Sequence, residues 1–226
     1  MDAHDLLGTT VDPSTPEIRA AMVMTLFGAF GRGGSSGALG NDLDSELLQS
    51  LRAWADVVLV SASTVTAEDY GPADTPLAIL SRSLDLSTSL GVFGGREVIV
   101  ACPKPSLNDD SLADRRRALE QAGARFVSTG TGSLGEAVDA LRSEGFNRIA
   151  CEGGPSVYAA MIGADLLDVI HLTLDPTVSN DDSTWGLPAI AQQAEFARRY
   201  ALEATHATDD GTLFLRYLRA RDRSEH

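Results

Sequence analysis

The chain has little cysteine, lysine or histidine and no long apolar run, and each shortage removes a class of function. Its two cysteines, Cys102 and Cys151, lie far apart, each at the end of an apolar run, and no CxxC pair exists. Neither a zinc ribbon nor a thioredoxin-like redox motif can be built from them; two buried free thiols in a reducing compartment are expected. Lys104 is the sole lysine, which excludes a Schiff-base or phosphate-binding lysine elsewhere. His4, His171, His206 and His226 are scattered without metal-ligand spacing, so no metal is expected. No apolar run approaches the length of a bilayer span. The opening segment MDAHDLLGTTVDPSTPE carries Asp where a signal peptide needs a basic region, so a cytoplasmic protein is expected. Positive charge is scarce too: 18 Lys and Arg stand against 32 Asp and Glu, a formal net charge of −14. So acidic a surface repels phosphate backbones and anionic lipid, which argues against nucleic acid and membranes as partners. A local basic pocket for a small phosphorylated molecule stays open.

What is present is ordinary globular composition: 226 residues, 43% of them apolar, with 21 glycines and 9 prolines. Residues 1–17 are polar and hold Pro13 and Pro16, and read as an arm over the surface. Arg19 to Phe27 is a nearly continuous apolar run that stops at Gly28, as a buried strand would. GAFGRGGSSGALG, residues 28–40, is too rich in Gly and Ser for a regular element and reads as a flexible linker or an active-site flap. Asp42 to Ala55 returns to helical spacing, with Asn41 or Asp42 as its cap. Val57–Ser61, Leu77–Leu80, Val98–Ala101, Arg125–Ser128 and Arg148–Cys151 read as buried strands. Helices are expected over Ser111–Ala122, over Ser133–Glu144 with a capping box from Ser133 and Glu136, and from Gly154 to about Ala164. Val169–Thr177 alternates as a strand. Tyr200–Thr205 and Thr212–Arg219 are joined by the hairpin signal Asp209-Asp210-Gly211. The pattern is α/β: one domain over residues 18–220, with a mainly parallel sheet, antiparallel C-terminal strands and a short tail at 221–226.

Two glycine turns compete for a nucleotide. Gly130-Thr-Gly132-Ser-Leu-Gly135 fits G-x-G-x-x-G, follows a short strand and opens a helix, with Glu152 near the distance of a ribose-binding acid. Its strand is weakly apolar, it comes late in the chain, and the capping box already explains its polarity, so it reads as a turn before a capped helix. In Glu152-Gly153-Gly154-Pro155-Ser156 a strand runs through two glycines into a helix that starts with proline. Glycine permits close backbone approach, proline suits the first helical turn, and the free N–H groups behind it suit a pyrophosphate. An ordinary tight turn between strand and helix reads the same way.

The second turn has company. With MVMTLFG (22–28), SSGALG (35–40), ADVVLVSASTVTAEDYGP (55–72), AILSRSLDL (78–86), CEGGPSVYAAMI (151–162), IHLTLDPTV (170–178) and DDGTLFLRYLR (209–219), the chain resembles the reductase domain of riboflavin biosynthesis. More closely, it looks like the stand-alone pyrimidine reductases that share the dihydrofolate reductase fold. The resemblance runs in order over residues 19–219. It implies a twisted, mainly parallel sheet flanked by helices, an NADPH cleft over its centre, and hydride transfer to an imine carbon of a ribosylaminopyrimidine or related heterocycle.

Carried over residue by residue, Gly153, Gly154, Pro155 and Ser156 match the turn where cofactor phosphates meet the following helix. Ser61-Ala62-Ser63-Thr64 matches a G-x-G-T turn: Thr64 keeps the phosphate contact, while serine replaces both glycines. Ser81 and Arg82 match the strand end that receives the adenosine ribose, where Arg82 can pair with a 2′-phosphate and favour NADPH over NADH. The family's S-L-D-G after the first strand is Thr25-Leu26-Phe27-Gly28 here, so Phe27 stands where an acid faces substrate. Asp44 keeps its matching place on the next helix. Glu152 is the acid within a matched motif and the expected proton donor or substrate orienter. The resemblance also implies a homodimer formed through a sheet edge, with Thr212–Arg219 apolar enough to need cover. Two alternatives accompany this reading: a non-catalytic NADPH-binding homologue with a drifted pocket, and a dihydrofolate-type reductase on the same fold.

Overall fold

The computed structural model describes residues 2–180, 186–189 and 196–220; the tail at 221–226 lies outside them. Among the described residues nine strands form one sheet: β1 (Glu17–Thr25), β2 (Val57–Ser61), β3 (Leu77–Leu80), β4 (Val98–Cys102), β5 (Ala124–Ser128), β6 (Arg148–Gly153), β7 (Val169–Asp175), β8 (Tyr200–Ala207) and β9 (Leu213–Arg219). Their order is β5-β4-β3-β2-β6-β1-β7-β9-β8. All pairings from β5 across to β7 are parallel; β9 adds antiparallel to β7, and β8 antiparallel to β9. This is the α/β architecture with antiparallel C-terminal strands that the residue pattern predicts.

The central strands are apolar on both sides because both faces are covered, as parallel sheets require. Successive residues of β2 serve opposite cores: Val58 and Val60 pack with α2 (Asp42–Trp54) through Leu47, Leu51 and Trp54. Val57 and Leu59 pack with α6 (Leu134–Ser143) and α7 (Pro155–Gly163) through Val138, Leu141 and Met161. At roughly 1.5–3 kcal/mol for each large side chain removed from water, this two-sided burial fixes the strand ends that carry the loops. The remaining helices are short: α1 (Ala3–Leu7), α3 (Ala62–Ala67), α4 (Lys104–Asn108) and α5 (Ala113–Gln121).

Two expectations are corrected here. Residues 1–17 are not merely a polar arm. Asp2 and Asp5 cap α1 reciprocally, and Leu6 and Leu7 enter the core beside α2. Arg19, 1% exposed on β1, donates to the Leu7 and Thr9 carbonyls (2.7 Å each) and pairs with Glu17 at 2.8 Å. Arg216 donates to the carbonyls of Asp5 and Leu6. Composition hid this helix because two leucines are its whole apolar face. The second correction concerns Thr212–Arg219. Its strand β9 is internal, between β7 and β8, and the free edge at that side of the sheet belongs to β8. Among the described residues no helix is long and apolar enough to cross a membrane, and no group of His, Cys, Asp or Glu is placed to hold a metal.

Candidate functional site

A cleft of about 430 Å³ opens between α2, the loop at Tyr70–Ala73, strands β1, β6 and β7, and the start of α7. Its glycine turn is built by necessity. Gly153 has φ +77°, and a Cβ there would sit 2.4 Å from the Tyr158 ring. A Cβ on Gly154 would sit 2.8 Å from Thr64 Oγ1. Thr64 and the Gly153-Gly154 turn, far apart in sequence, therefore meet at the cleft. Gly154 is the N-cap of α7 and supplies no side chain, Pro155 follows, and Ser156 is exposed. In this first turn Pro155 has no N–H and the Val157 and Tyr158 N–H groups donate to the Gly154 carbonyl, which leaves the Ser156 N–H for an outside partner.

The serines that replace glycine in the neighbouring turn have their own task. Ser61 Oγ accepts the Thr64 N–H at 3.1 Å, capping α3, and lies 2.9 Å from both Ser63 Oγ and Thr64 Oγ1. The sequence pattern did not show that this segment is helical. At the end of β3, Ser81 is buried and its Oγ meets no partner among the described residues. Arg82 is exposed outside the cleft, with Nη2 3.5 Å from the Gly132 carbonyl.

Glu152 has both side-chain oxygens engaged within the protein. It is 6% exposed, and Arg52 engages it with a two-pronged fork, Nε to Oε1 and Nη2 to Oε2 at 2.7 Å each. Tyr70 donates to Oε2 at 2.6 Å, and the Arg52 guanidinium lies 5.1 Å from the Tyr70 ring centre. Burial, then the Glu152 charge, pushes the Tyr70 phenol far above its ordinary value. Burial opposes the Arg52 charge, but hydrogen bonding and attraction from Glu152 outweigh it and raise Arg52 above its ordinary value. The expectation of a proton donor gives way to a carboxylate that ties β6, α2 and the Tyr70 loop into one wall. Arg52 and Tyr70 carry no motif of their own, and helix periodicity alone could not pair Arg52 with an acid 100 residues on.

Phe27 is also corrected. Strand β1 ends at Thr25, where Thr25 N–H donates to the Ala29 carbonyl and Gly28 N–H to the Thr25 carbonyl. The resulting turn tips Phe27 outward, 70% exposed. The phenylalanine that lines the cleft is Phe30, its ring 5.8 Å from that of Tyr158. Within the Gly/Ser-rich stretch, Ser35 Oγ and Ser36 N–H both donate to Glu68 at 2.7 Å, which holds that loop at the cleft mouth.

Asp44, in the first turn of α2, lines the cleft and accepts one hydrogen bond, from Thr173 Oγ1 at 2.6 Å. Burial raises its carboxyl above the ordinary value, and the Asp175 charge adds to the effect against the lowering influence of Thr173. His171, two residues before Thr173 on β7, also lines the cleft; it is 2% exposed and its Nε2 meets no partner among the described residues. Burial, with the charges of Arg19 and Arg216, depresses it to about 3, so the ring is neutral. The one hint in the sequence was a histidine inside the alternating run VIHLTLD.

The Gly130–Gly135 turn is filled from within. The Glu136 carboxylate accepts the Thr131 N–H (3.1 and 3.2 Å) and the Ser133 N–H (3.2 Å), and α6 begins in a complete capping box. The Thr131 and Ser133 N–H groups are thus already engaged by a carboxylate of the chain itself.

Sheet order and the glycine turn over the cleft define an α/β domain of the dihydrofolate reductase-like class. The chain belongs to the RibD C-terminal domain family, whose profile matches residues 16–185. Among solved structures it is similar to a pyrimidine reductase-like protein from Corynebacterium diphtheriae, with a TM-score of 0.86, 27% identity, and coverage of 98% of this chain and 100% of that one. It is also similar to the riboflavin biosynthesis reductase of Saccharomyces cerevisiae, with a TM-score of 0.67, 14% identity and 94% of each chain covered. For the RibD protein of Acinetobacter baumannii the TM-score is 0.69 and the identity 18%; 92% of this chain aligns and spans 59% of that protein's length. Among curated proteins no relative matches the chain.

Proposed function

We propose that the chain is a reductase that binds NADPH across the Thr64 and Gly153-Gly154 turns and reduces an imine carbon of a ribosylaminopyrimidine or related heterocycle held in the cleft. The observation that carries this reading is the cradle itself: a Cβ at Gly154 would collide with Thr64 Oγ1, and the open first turn of α7 lies beside it. Such a cradle suits a pyrophosphate, whose charge the helix N-terminus favours. The buried Ser81 Oγ, without a partner among the described residues, suits a ribose hydroxyl at the adenosine end, and the nearby Arg82 fork suits a 2′-phosphate. NADPH, when bound, supplies the hydride, so that NADPH, a proton and C=N become NADP⁺ and CH–NH. The chain's own part is alignment and exclusion of water. The Arg52–Glu152–Tyr70 wall fixes one side of the cleft, and Phe30 and Tyr158 close another with aromatic surface. The same proposal includes a homodimer, with the unpaired edge of β8 as the segment to be covered.

The test is quenching of protein fluorescence by NADPH, NADP⁺ and NADH, followed by loss of nicotinamide absorbance with pyrimidine and pterin substrates. Tighter binding of NADPH than of NADH, lost in Arg82→Ala, together with turnover, supports the reading. Binding without turnover on any heterocycle favours the non-catalytic homologue instead, and absence of NADPH binding sinks both.

A further inference from the structure

A second, partly open cavity of about 120 Å³ lies behind the cleft, beneath α1. Asp5 and Leu6 of α1, Leu47 of α2, Ala204 of β8, and Phe214 and Arg216 of β9 line it. Among the described residues it shares two lining residues with the cleft, Leu47 and His171. The sheet register explains how His171 comes to stand between the two spaces. Opposed residues on neighbouring strands share a face of the sheet. His171 is opposed on one side by Ala21 of β1, which lines the cleft, and on the other by Arg216 of β9, which lines the second cavity. Ala21, His171 and Arg216 therefore form a row across the sheet from one cavity to the other. Leu47 has no hydrogen-bonding side chain, so His171 is the polar member of this partition.

Reduction of C=N needs a proton at nitrogen as well as a hydride at carbon. A cleft filled by cofactor and substrate has expelled the bulk water that could give one. Arg52 does not release protons, and Glu152 is engaged by Arg52 and Tyr70. His171 differs from both. It is 2% exposed, and its Nε2 has no partner among the described residues. Burial and the charges of Arg19 and Arg216 keep the ring neutral, and a neutral imidazole carries one donor and one acceptor. Such a ring passes a proton through itself without holding a charge. The second cavity has room for several waters, and the charged Asp5 and Arg216 on its wall suit them.

We propose that His171 relays a proton from water in the cavity beneath α1 to the substrate nitrogen in the cleft. The inference rests on the reductase reading and adds to it the route of the proton. As hydride reaches the imine carbon, the C=N π pair moves to nitrogen and takes the proton of the His171 N–H. The other ring nitrogen takes a proton from a rear water, which bulk solvent replaces. When the product has left and water refills the cleft, exchange on both sides of the ring restores the starting tautomer.

Two variants of the full chain test the relay from opposite sides. His171→Ala removes the ring. Ala204→Phe places an aromatic side chain in the rear cavity and touches no residue position of the cleft lining. Both should bind NADPH within a few-fold of the native chain. Turnover should fall about a hundredfold or more in His171→Ala and about tenfold or more in Ala204→Phe. Imidazole added to His171→Ala should restore turnover, whereas 1-methylimidazole, of similar shape but without an N–H, should not. Without NADPH, imidazole should raise the melting temperature of His171→Ala and leave that of the native chain unchanged. Native turnover in either folded variant, equal rescue by the two imidazoles, or no binding of imidazole to His171→Ala overturns the proposal. So does a proton step lost in Asp44→Asn and kept in His171→Ala. If His171→Ala does not fold, Ala204→Phe decides, since it keeps the histidine. A native chain that turns over no heterocycle removes the reductase reading and the relay together; one that does so while both variants keep its rate removes the relay alone.

Discussion

Two turns in this chain look alike in sequence and differ in what fills them. Each follows a parallel strand, each holds at least one glycine with positive φ, and each opens a helix. At Gly130–Gly135 the chain supplies its own anion, because Glu136 reaches back to the turn's N–H groups. At Gly153-Gly154 the cap has no side chain, proline occupies the first helical position, and the glycines make room for Tyr158 and Thr64. A glycine-rich helix start is therefore open to an outside anion only where no local carboxylate has taken its donors.

This comparison can be broken in several places. The largest effect is expected from Glu152→Gln, which strips a buried ion pair of one partner. A loss of about 3–5 kcal/mol, read by denaturant unfolding, is expected, against a small shift for the exposed Glu136→Gln. A stability change for Glu152→Gln no larger than that of Glu136→Gln would remove Glu152 from its role as anchor. Next comes Gly154→Ala. The added methyl must displace Thr64 Oγ1 from 2.8 Å, so NADPH affinity should fall by about tenfold or more. Gly135→Ala, whose Cβ meets nothing within 4 Å, should leave it unchanged. Equal effects on affinity would mean that the two turns are not different in kind.

Gly132→Ala sharpens the same contrast. With φ +94° and a Cβ 2.6 Å from Pro103 Cγ, the variant should lose roughly 1–3 kcal/mol of stability, and NADPH affinity measured on the folded protein should stay within a few-fold. The simple expectation that a capped turn tolerates alanine fails on this geometry, because the turn packs against Pro103.

The smallest effects are in pH. Hydrogen bonds, from Thr131 first, hold Glu136 at about 2, below its ordinary 4.5. Its contribution to stability is therefore complete above pH 4.5 and fades as pH falls toward 2. Asp44 has the opposite sign. Its carboxyl is raised by burial, so its contribution is complete below 3.8 and is lost as pH rises through the folded value. Asp44→Asn should accordingly melt at or above the native temperature at pH 7. A lower melting temperature at pH 7 would mean that the Asp44 charge stabilises the fold.

The sheet was legible because both of its faces are covered: strands such as Val57–Ser61 and Leu77–Leu80 announce themselves as short apolar runs, and their limits coincide with the structure. Gly153, Gly154 and Thr64, singled out by their motifs, are brought together at the cleft. The site was not legible where single polar side chains converge from distant elements. Arg52, Tyr70 and His171 sit in stretches that periodicity assigns to helix, loop and strand, with no local sign that their partners lie across the cleft. Phe27 shows the limit of transferring a position by alignment. Thr25, Gly28 and Ala29 close a turn whose geometry, not its order of residues, decides which aromatic reaches the pocket.

The strand order β6-β1-β7 also governs the timing of assembly. β1 is made first and has no partner until β6 at Arg148 and β7 at Val169 have been made. At about 5–20 residues per second, the synthesis from Thr25 to Arg148 leaves the apolar AAMVMT segment unpaired for roughly 6–25 s. Helix α1, whose carbonyls are gripped by Arg19 within β1 and by Arg216 within β9, cannot complete its contacts until nearly the whole chain has been made. Long-range pairing of this kind slows folding, so on the ribosome this domain closes late, and its first strand is the stretch that a chaperone would meet.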